Sequence, residues 1–534
     1  MNGTTNRLSR EEFLALVALG GAALALPSCG GAAPGEREAE QIPPAPISSK
    51  PVLDVALKAA PGRVALLPGR QTNVWAYRGQ LLRGNPQALQ ELPGSYLGPV
   101  IRADRGDRVR IRFRNELPEL TTVHWHGLRV PPRMDGHPKD AVPPGGEYTY
   151  EFDVIDRAGT YWFHAHPHRR TGPQIYFGLA GLLLVSDPEE QALDLPAGDY
   201  DLPLVIQDRT FDRSNQLRYE TGGGMMGGRD GFLGDRVLVN GRPNFALAVA
   251  ARAYRLRLVN GSNSRIYRLG WDDRTPLTVI GTDCGLVAEP LKRPFVMLAP
   301  GERIELWADF SRWRVGSEHR LLSLPFADRQ FGGVMGGGMM GSTAPPNGSQ
   351  LMLLTVRVER AAAGDATLPH RLSAIGPEDA DDAVNAGRPR RFTLTRRHMS
   401  WTINGRVFEM DDVADDETVR LNALEVWEFE NPVDGMGMMG GMGMGSMAMA
   451  HPIHIHGVQF RVLDRQSPPE LADANATIQR GYVDVGWKDT VLVTPGERVR
   501  LLIRFAGYGG TYLYHCHNLE HADAGMMRNY RIVS

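Results

Sequence analysis

Short strand-like runs separated by turn residues recur along the whole chain, and they limit its fold more than any other feature. The runs include "DRVRIRFRN", "EYTYEFDV", "AYRLRLVNG", "ERIELWADF" and "ERVRLLIRF". Between them stand Gly, Pro, Asn and Asp, the residues that punctuate strands. Many short strands with frequent turns are typical of β-sandwiches. The sequence therefore predicts an all-β protein.

One motif occurs three times at wide intervals. It reads "GDRVRIRF" at 106–113, "PGERIELWADF" at 300–310 and "PGERVRLLIRF" at 495–505. The repetition predicts one domain type used three times, and a chain of 534 residues suits about three domains of ordinary size. The stretch "ERAAAGDATLPH" fits a linker between the last two domains. We expect the three domains to span residues 50–190, 200–360 and 390–534.

Composition excludes several classes of protein. A formal net charge of -2 argues against a nucleic-acid partner. No apolar run is long enough to span a bilayer, so we expect a soluble globular body. The chain has only three cysteines, which excludes a disulfide framework as its main stabiliser. Cys284 lies in the apolar run "VIGTDCGLV" and is predicted to be a small buried hydrophobic residue.

Residues 1–49 have the character of an export signal followed by a flexible tether. Arg7 and Arg10 precede an apolar stretch, and small residues and Cys29 follow it. The "SREEFL" core resembles a twin-arginine signal, but Glu11 stands in place of the second arginine. The "LPSC" sequence around Cys29 resembles a lipoprotein cleavage site. We therefore expect an exported protein, periplasmic or in the cell envelope, for which a lipid anchor at Cys29 is an open alternative.

Methionine is concentrated in three glycine-rich segments. They are "GGGMMGG" at 222–228, "GGVMGGGMMG" at 332–341 and "GMGMMGGMGMGSMAM" at 435–449, which hold 12 of the 20 methionines. A core would not contain so much glycine, because glycine adds no packing and costs backbone entropy. Thioethers prefer soft ions such as Cu(I), so the segments indicate copper handling. A low-complexity linker that is rich in methionine explains the composition equally well.

Four pairs of histidines have the spacing His-x-His. On a strand, residues i and i+2 point to the same face, so each pair presents two imidazoles to one place. Four such pairs among 15 histidines are improbable by chance. An interface between the first and third domains would gather eight imidazoles, which exceeds the four ligands of zinc and suits a cluster of several metals. The pairs are His124 with His126, His164 with His166, His454 with His456, and His515 with His517.

A cysteine stands inside the last of these pairs, in "YLYHCHNLEHADAGMM" at 512–527. The Thr- and Tyr-rich run before it predicts a strand, on which Cys516 faces away from His515 and His517. Ligands on both faces would serve two metal sites joined by a few bonds of backbone. Two histidines, a thiolate and a weak axial methionine form a blue-copper electron-transfer site. The residues left to supply one are His451, Cys516, His521 and Met526.

With "HWHG", "YWFHAH", "HPIHIHG" and "HCHNLEHADAGMM", the sequence resembles the multicopper oxidases, the family of laccases, bilirubin oxidases and bacterial cuprous oxidases. The resemblance covers nearly all of the chain after the export signal. It implies three cupredoxin-like, or plastocyanin-like, Greek-key β-sandwich domains. It also implies four copper ions, one of type 1, one of type 2 and two of type 3. Family chemistry couples four one-electron oxidations at the type-1 copper to reduction of dioxygen to two waters.

The resemblance also implies a role for each ligand by its position in the motifs. His124 and His454 would hold the type-2 copper. His126, His164 and His517 would hold one type-3 copper, and His166, His456 and His515 the other. His451, Cys516 and His521 would hold the type-1 copper, with Met526 axial.

Asp135, in "RMDGHP", matches a family carboxylate beside the trinuclear cluster. A carboxylate there can hold and release protons for bound oxygen, although an Asp in an ordinary "DG" turn is an alternative explanation. Related bacterial enzymes carry a glutamate directly after the last type-1 histidine, where this chain has Ala522. Proton supply would then use Asp135, Asp523 or water.

The third methionine-rich segment ends at Met449, two residues before His451, and must lie near the rim of the type-1 site. In copper-tolerance oxidases, a methionine and an acidic residue just before this histidine bind substrate copper. Met449 fits the methionine, and Met447 stands in place of the acid. We therefore expect Met447 and Met449 to bind Cu(I), without a carboxylate to favour the oxidised product.

The sequence thus predicts a multicopper oxidase that oxidises Cu(I) and, more slowly, bulky phenols or dyes. A laccase-like oxidase of phenols and aromatic amines, whose methionine segments only cover the type-1 site, is an alternative. An alternative from another class is a non-enzymatic cupredoxin scaffold or a copper store, although a scaffold would lose ligands that this chain retains. The middle domain has no histidine pair and is expected to shape the substrate face.

Overall fold

The computed structural model describes residues 52–220, 231–327, 344–362, 367–376, 378–397, 400–433 and 449–534. Several predicted features lie outside these residues. They are the export signal and tether at 1–49 with Cys29, the methionine-rich segments at 222–228 and 332–341, and residues 435–448 of the third segment, with Met447.

The first stretch of the described chain forms two sheets that face each other. Its strands are β1 (Leu53–Val64), β2 (Thr72–Arg83), β3 (Leu89–Gln90), β4 (Val100–Asp104), β5 (Arg108–Asn115), β6 (His124–His126), β7 (Glu147–Asp153), β8 (Gly159–His164) and β9 (Ala180–Ser186). The sheet orders are β2-β1-β5-β7 and β3-β4-β9-β8-β6. Val55 and Ile111 from the first sheet share one core with Tyr161 and Leu183 from the second.

The middle stretch repeats this arrangement with more strands. They are β10 (Asp201–Arg209), β11 (Arg236–Val239), β12 (Arg242–Pro243), β13 (Ala246–Ala251), β14 (Ala253–Asn260), β15 (Tyr267–Trp271), β16 (Leu277–Thr282), β17 (Gly285–Arg293), β18 (Val296–Leu298), β19 (Arg303–Asp309), β20 (Glu318–Ser323) and β21 (Leu351–Ala361). The sheet orders are β12-β11-β10-β14-β19-β16-β17 and β13-β21-β20-β15-β18. In the core between the two sheets, Leu256 and Leu306 of the first sheet pack with Leu269 and Leu354 of the second.

The last stretch forms a third pair of sheets. Its strands are β22 (Arg390–Arg397), β23 (Ser400–Ile403), β24 (Thr418–Arg420), β25 (Leu424–Glu430), β26 (His451–Ile455), β27 (Phe460–Gln466), β28 (Thr490–Val493), β29 (Arg498–Arg504), β30 (Gly510–Cys516) and β31 (Met527–Val533). The sheet orders are β23-β22-β25-β29-β27 and β24-β31-β30-β26-β28. Phe392 and Leu501 pack with Ile453 and Tyr514 in their common core.

The same topology recurs in all three stretches. Among the described strands, each sheet contains one parallel pair and is otherwise antiparallel. β1 with β5, β10 with β14, and β22 with β25 are equivalent parallel pairs. A parallel pair needs a crossover connection, here made through the facing sheet. The prediction of an all-β protein built from sandwiches is confirmed, whereas the domain boundaries stay a prediction.

Among the described residues, helices are few and short. They are Thr171–Phe177, Pro188–Gln191, Ala472–Gln479 and Leu519–Asp523, with single 3-10 turns at Pro86–Ala88, Pro132–Met134, Pro138–Asp140, Gly198–Tyr200, Phe310–Arg312, Ala380–Asp382, Asp415–Glu417 and Pro469–Leu471. In the part of the chain that the structure describes, no helix is long and apolar enough to cross a bilayer.

Candidate metal centres

Strand β30 carries potential metal ligands on both of its faces. In the register of the sheet, His515 lies opposite His454 of β26, while Cys516 lies opposite Ile453. Successive side chains of a strand point to opposite faces. His515 therefore joins a group of histidines on one side, and Cys516 joins the core of the last sandwich on the other. We call these two groups the histidine centre and the thiol centre.

The histidine centre gathers all four His-x-His pairs. In the first stretch, β6 pairs with β8 so that His124 lies opposite His164, and in the last stretch His454 lies opposite His515. The ring nitrogens of His124 and His454 then approach to 3.4 Å across the two stretches. All eight histidines are buried: His124, His126, His164, His166, His454, His456, His515 and His517.

Backbone carbonyls fix the orientation of four of these rings. A ring N–H that donates to a carbonyl leaves the lone pair of the other nitrogen free. Each of these rings turns its Nδ1 outward to a carbonyl oxygen and its Nε2 inward. The pairs are His124 with Asp135 at 2.7 Å, His164 with Ala165 at 3.0 Å, His454 with Asp489 at 2.8 Å, and His515 with Cys516 at 3.0 Å.

Two buried carboxylates fix two further rings. The Nδ1 of His456 donates to Oδ2 of Asp135 at 2.8 Å, so its Nε2 points inward. His126 has the opposite orientation, because its Nε2 donates to Oδ1 of Asp489 at 3.0 Å and its Nδ1 points inward. Burial acts to raise the pKa of Asp489, but the Arg303 guanidinium and His126 hold it well below its usual range. Asp489 is thus a carboxylate that can only accept from His126.

The inward nitrogens face one another at short range. Burial lowers the pKa values of His126, His164 and His515 well below the usual value, so these rings are neutral. The facing pairs are His124 Nε2 with His454 Nε2 at 3.4 Å, His126 Nδ1 with His164 Nε2 at 3.3 Å, His166 Nε2 with His515 Nε2 at 3.2 Å, and His456 Nε2 with His515 Nε2 at 3.1 Å.

This arrangement fits bound metal ions. A metal lies about 2 Å from an imidazole nitrogen, so two nitrogens on one ion are roughly 3 to 4 Å apart. Among the described residues, neither ring nitrogen of the buried His517 has a hydrogen-bond partner, and such orphaned groups are costly unless a ligand satisfies them. Potential ligand atoms of His126, His164 and His517 lie within 4.8 Å of one another, as do those of His166, His456 and His515.

The thiol centre brings together Cys516, His451 and His521. The Sγ atom of Cys516 lies 3.5 Å from Nδ1 of His451 and 3.6 Å from Nδ1 of His521, and these two nitrogens are 3.1 Å apart. Burial raises the pKa of the Cys516 thiol, so a bound cation is needed to hold it as thiolate. Met526 is fully buried in the same core, and its carbonyl accepts from the Cys516 N–H at 3.0 Å.

An indole and an amide surround the thiol centre. The Trp401 ring lies 4.1 Å from the ring of His521 and 5.1 Å from that of His451, between centroids. The backbone N–H of Asn518 donates to Sγ of Cys516 at 3.4 Å. Asn518 also places its side-chain amide 3.2 Å from Nε2 of His521. These contacts fix the histidine rings and give the sulfur a hydrogen bond.

The acidic residues suggested by the sequence occupy different positions. Asp135 lies in the histidine centre, as described above. Asp523 instead accepts from the backbone N–H groups of Thr171 at 3.0 Å and Gly172 at 2.8 Å, and burial raises its pKa to about 7. Ala522 is buried. Any part of these residues in proton supply stays a prediction.

Met449 lies at the edge of the core that holds the thiol centre. It is half-buried, and its carbonyl accepts from the side-chain amide of Asn431 at 2.7 Å. This bond fixes the chain two residues before His451. Met447 lies outside the described residues, so binding of Cu(I) by the two methionines stays a prediction.

Three residues of the histidine centre were missed by the sequence reasoning: Asp489, Arg303 and Cys284. Asp489 follows Lys488 in "GWKDTVLV", and nothing in that run marks it as close to a histidine. The prediction that Cys284 is a small buried hydrophobic residue is confirmed, and its thiol also donates to Oδ2 of Asp489 at 3.2 Å. Arg303 shows that the middle stretch also reaches this centre. The sequence carried no signal for it, because the same Gly-acid-Arg run also occurs at 106–108 and 496–498.

Comparison with known proteins agrees with this geometry. Family profiles described as multicopper oxidase match residues 73–190 and 383–534. A relative named multicopper oxidase mco from Staphylococcus haemolyticus is 32% identical over 90% of this chain and 88% of its own length. A laccase from Bacillus stratosphericus is 31% identical over 84% of this chain and 91% of its own. Other relatives are named bilirubin oxidase and cell division protein FtsP.

A solved structure is similar over the same range. The multicopper oxidase McoA from Aquifex aeolicus is 35% identical, with a TM-score of 0.73 over 90% of this chain and 96% of its own. The chain belongs to the multicopper oxidase family. Its relatives named multicopper oxidase, laccase and bilirubin oxidase are oxidoreductases, and the histidine and thiol centres fit the copper sites of such an enzyme.

Proposed function

We propose that the chain is a cuprous oxidase that holds four copper ions in the two centres. The thiol centre would hold the type-1 copper, through His451, Cys516 and His521, with Met526 axial. The histidine centre would hold the other three. Type 2 would be bound by His124 and His454, one type-3 ion by His126, His164 and His517, and the other by His166, His456 and His515. The convergence of unprotonated ring nitrogens at 3.1 to 3.4 Å carries this proposal.

Bound copper would accept electrons one at a time from the reductant and deliver four of them, with four protons, to dioxygen, giving two waters. The protein provides the connection between the centres. Cys516 is bonded through the backbone to His515 and His517, and the Nδ1 of His515 lies 3.0 Å from the Cys516 carbonyl. Electrons therefore have a short covalent route with a hydrogen-bonded branch.

Asp135 is the proposed proton carrier. Its Oδ2 accepts from His456, while its buried Oδ1 has no hydrogen-bond partner among the described residues. Oδ1 lies 3.5 Å from Nδ1 of His124, at the wall of the histidine centre. A carboxylate oxygen that is buried and unpartnered can take up a proton and release it toward the centre. Ala522 has no such group, and both carboxylate oxygens of Asp523 accept from backbone N–H groups, so we assign this step to Asp135.

The substrate proposal rests on Met449. Its backbone is fixed by Asn431 beside the core of the thiol centre, and Met447 stands two residues earlier. Thioether sulfur is a soft ligand suited to Cu(I). The alternative substrate is a small phenol or aromatic amine, which would donate electrons at the same rim without using the methionines. The relatives named laccase support this alternative.

Oxygen uptake by the copper-loaded protein distinguishes these substrates. We would supply a chelated Cu(I) donor and a simple phenol in parallel to the wild type and to a variant with both Met447→Ser and Met449→Ser. Met352→Ser is the matched control, because Met352 is an exposed methionine on β21. A raised KM for Cu(I) with unchanged phenol turnover would support the cuprous oxidase.

Other results would replace the proposal. If Cu(I) kinetics are unchanged in the double variant, the methionines do not bind substrate and the laccase alternative takes precedence. Absence of oxygen uptake with either substrate would favour a non-enzymatic scaffold or a copper store. Fractionation of cells and the mass of the mature N-terminus would test the proposed export and the lipid anchor at Cys29. A full-length cytoplasmic chain would contradict export.

A further inference from the structure

A Gly-acid-Arg turn occurs three times in the sequence, once as "GDR" and twice as "GER", and only in the middle copy is the arginine fully buried. Each copy has a glycine with positive φ, an acidic residue and an arginine that begins a strand: Gly106 to Arg108, Gly301 to Arg303, and Gly496 to Arg498. The side chains of Arg108 and Arg498 are 30% and 35% exposed, and that of Arg303 is 0% exposed. The same turn therefore presents a partly exposed arginine in two copies and a fully buried arginine in the third.

The outer two arginines pair with carboxylates of their own sheets. Arg108 donates to Glu151 at 2.9 Å, and Arg498 lies 3.4 Å from Glu430. Exposed pairs of this kind contribute little to stability. Arg303, in contrast, leaves its sheet and pairs with Asp489 of the last stretch, 186 residues away in sequence.

All the donors of Arg303 are used. Its Nη1 donates to Oδ1 of Asp489 at 2.7 Å, and its Nη2 pairs with Oδ2. The remaining N–H groups donate to the carbonyls of Thr160 at 2.9 Å, Gly301 at 3.0 Å and Asp283 at 2.7 Å. A planar guanidinium with every donor satisfied holds a carboxylate in one orientation.

Two glycines leave the space that this contact requires. Gly127, the last residue of "HWHG", has φ +92, and a Cβ there would overlap Asp489 and lie 2.7 Å from Nη2 of Arg303. Gly301 has φ +88, and a Cβ there would lie 2.9 Å from Cγ of His517. The middle "GER" turn therefore packs directly against one histidine of the centre while its arginine reaches the carboxylate beside another.

Asp489, held by Arg303, in turn fixes two rings of the histidine centre. Its Oδ1 accepts from Nε2 of His126, and its carbonyl accepts from Nδ1 of His454. The thiol of Cys284, also from the middle stretch, donates to Oδ2. With Nε2 of His126 committed to the carboxylate, only Nδ1 can serve a metal.

We propose that Arg303 and Cys284 are positioning residues for the histidine centre, which they control by fixing Asp489 and hence the ring of His126. The middle stretch is then part of the copper site although it supplies no ligand. This inference rests on the proposed copper centres. It adds to the expectation that the middle stretch shapes the substrate face, which stays a prediction.

Copper titration of the full chain tests the inference. Contacts that orient metal ligands typically change metal affinity by about 10–100-fold. We expect Arg303→Gln to weaken copper binding at the histidine centre by about that factor, seen as a lower number of copper ions bound per chain at a given free copper concentration. The blue absorption of the thiol centre in the same sample should stay. Arg303→Lys, which keeps the charge, should recover part of the affinity, and Arg498→Gln, the matched copy of the motif, should load like the wild type.

Cysteine variants extend the test to the case in which Arg303→Gln does not fold. Cys284→Ser keeps a donor for Asp489 and Cys284→Ala removes it, so the two should differ in copper affinity at the histidine centre. Provided that the wild type binds copper normally, two results would overturn the inference. One is equal copper affinity of the two Cys284 variants, and the other is full copper loading of Arg303→Gln. A wild type that binds no copper would overturn the proposed function itself.

Discussion

The histidine centre and the thiol centre lie on opposite faces of β30, and the groups that surround them differ in charge. Two outward nitrogens of the histidine centre meet carboxylates, because Asp135 holds His456 and Asp489 holds His126. The thiol centre is contacted by the indole ring of Trp401 and by the amides of Asn518.

The difference follows from the charge each centre must carry. Several cations placed in a buried site need anions nearby, because charges transferred from water to a protein interior are stabilised only when they are paired. A single cation bound to a thiolate is already partly neutralised by its own ligand. An apolar shell then suffices, and it tunes the reduction potential of a blue-copper site.

The largest expected effect is that of Cys516→Ser, which removes one centre and leaves the other. We expect complete loss of the blue absorption and of oxygen uptake with a phenol, because a serine hydroxyl does not replace the thiolate ligand. The type-2 EPR signal should stay. Retention of the blue absorption in this variant would show that the thiol centre is not the type-1 site.

Asp135→Asn tests the charged shell of the histidine centre. The amide oxygen can still accept from His456, but it cannot carry a proton, so the turnover number should fall about 100-fold. Copper content and blue absorption should not change. Asp140→Asn, in the next turn of the chain, is the control. An unchanged turnover number for Asp135→Asn would remove the proposed proton carrier.

Glu520→Gln tests how much a carboxylate next to the thiol centre, which is not one of its ligands, contributes to stability. Glu520 is buried beside His521 and accepts from four donors: Tyr219 Oη at 2.6 Å, Phe232 N at 3.0 Å, Ser264 Oγ at 2.5 Å and Asn263 Nδ2 at 2.8 Å.

An amide would place its own N–H against some of these donors. We expect a loss of about 1–3 kcal/mol in the free energy of unfolding, measured by denaturant titration. The exposed Glu220→Gln should show no loss. Equal stability of the two variants would mean that the Glu520 network contributes little.

Trp401→Phe should have the smallest effect. The smaller ring keeps an aromatic contact with His521, so the stability cost should be within about 1 kcal/mol. Removal of the larger indole makes the surroundings of the sulfur more polar, which favours the oxidised metal and lowers the reduction potential of the type-1 site. Redox titration of the blue absorption measures this, and a raised potential would contradict the role of Trp401 as an apolar shield.

The sequence was informative where function depends on local spacing. His-x-His on a strand requires that both rings share a face, and Cys516 between two histidines requires two sites on opposite faces. The strands β5, β14, β19 and β29 were predicted from short strand-like runs that stand between turn residues. None of these inferences needed contacts between distant segments.

The sequence was uninformative where an ordinary residue gains its meaning from a distant partner. Asp489 lies next to a lysine in the sequence, yet its carboxylate binds Arg303 and His126, 186 and 363 residues away. Arg303 belongs to a motif whose other two arginines are only partly buried. Local pattern cannot distinguish these copies, because the difference lies in which surface each sandwich buries against its neighbour.

The amino-acid sequence by itself thus determined the all-β fold, the family and the ligand types, since strand alternation and donor chemistry are local properties. Tertiary structure alone decided which nitrogen of each histidine faces the metal, because that choice depends on whether the other nitrogen meets a carbonyl or a carboxylate. It also decided that the middle sandwich is part of the histidine centre. Only the packed chain brings Arg303 within hydrogen-bonding distance of Asp489.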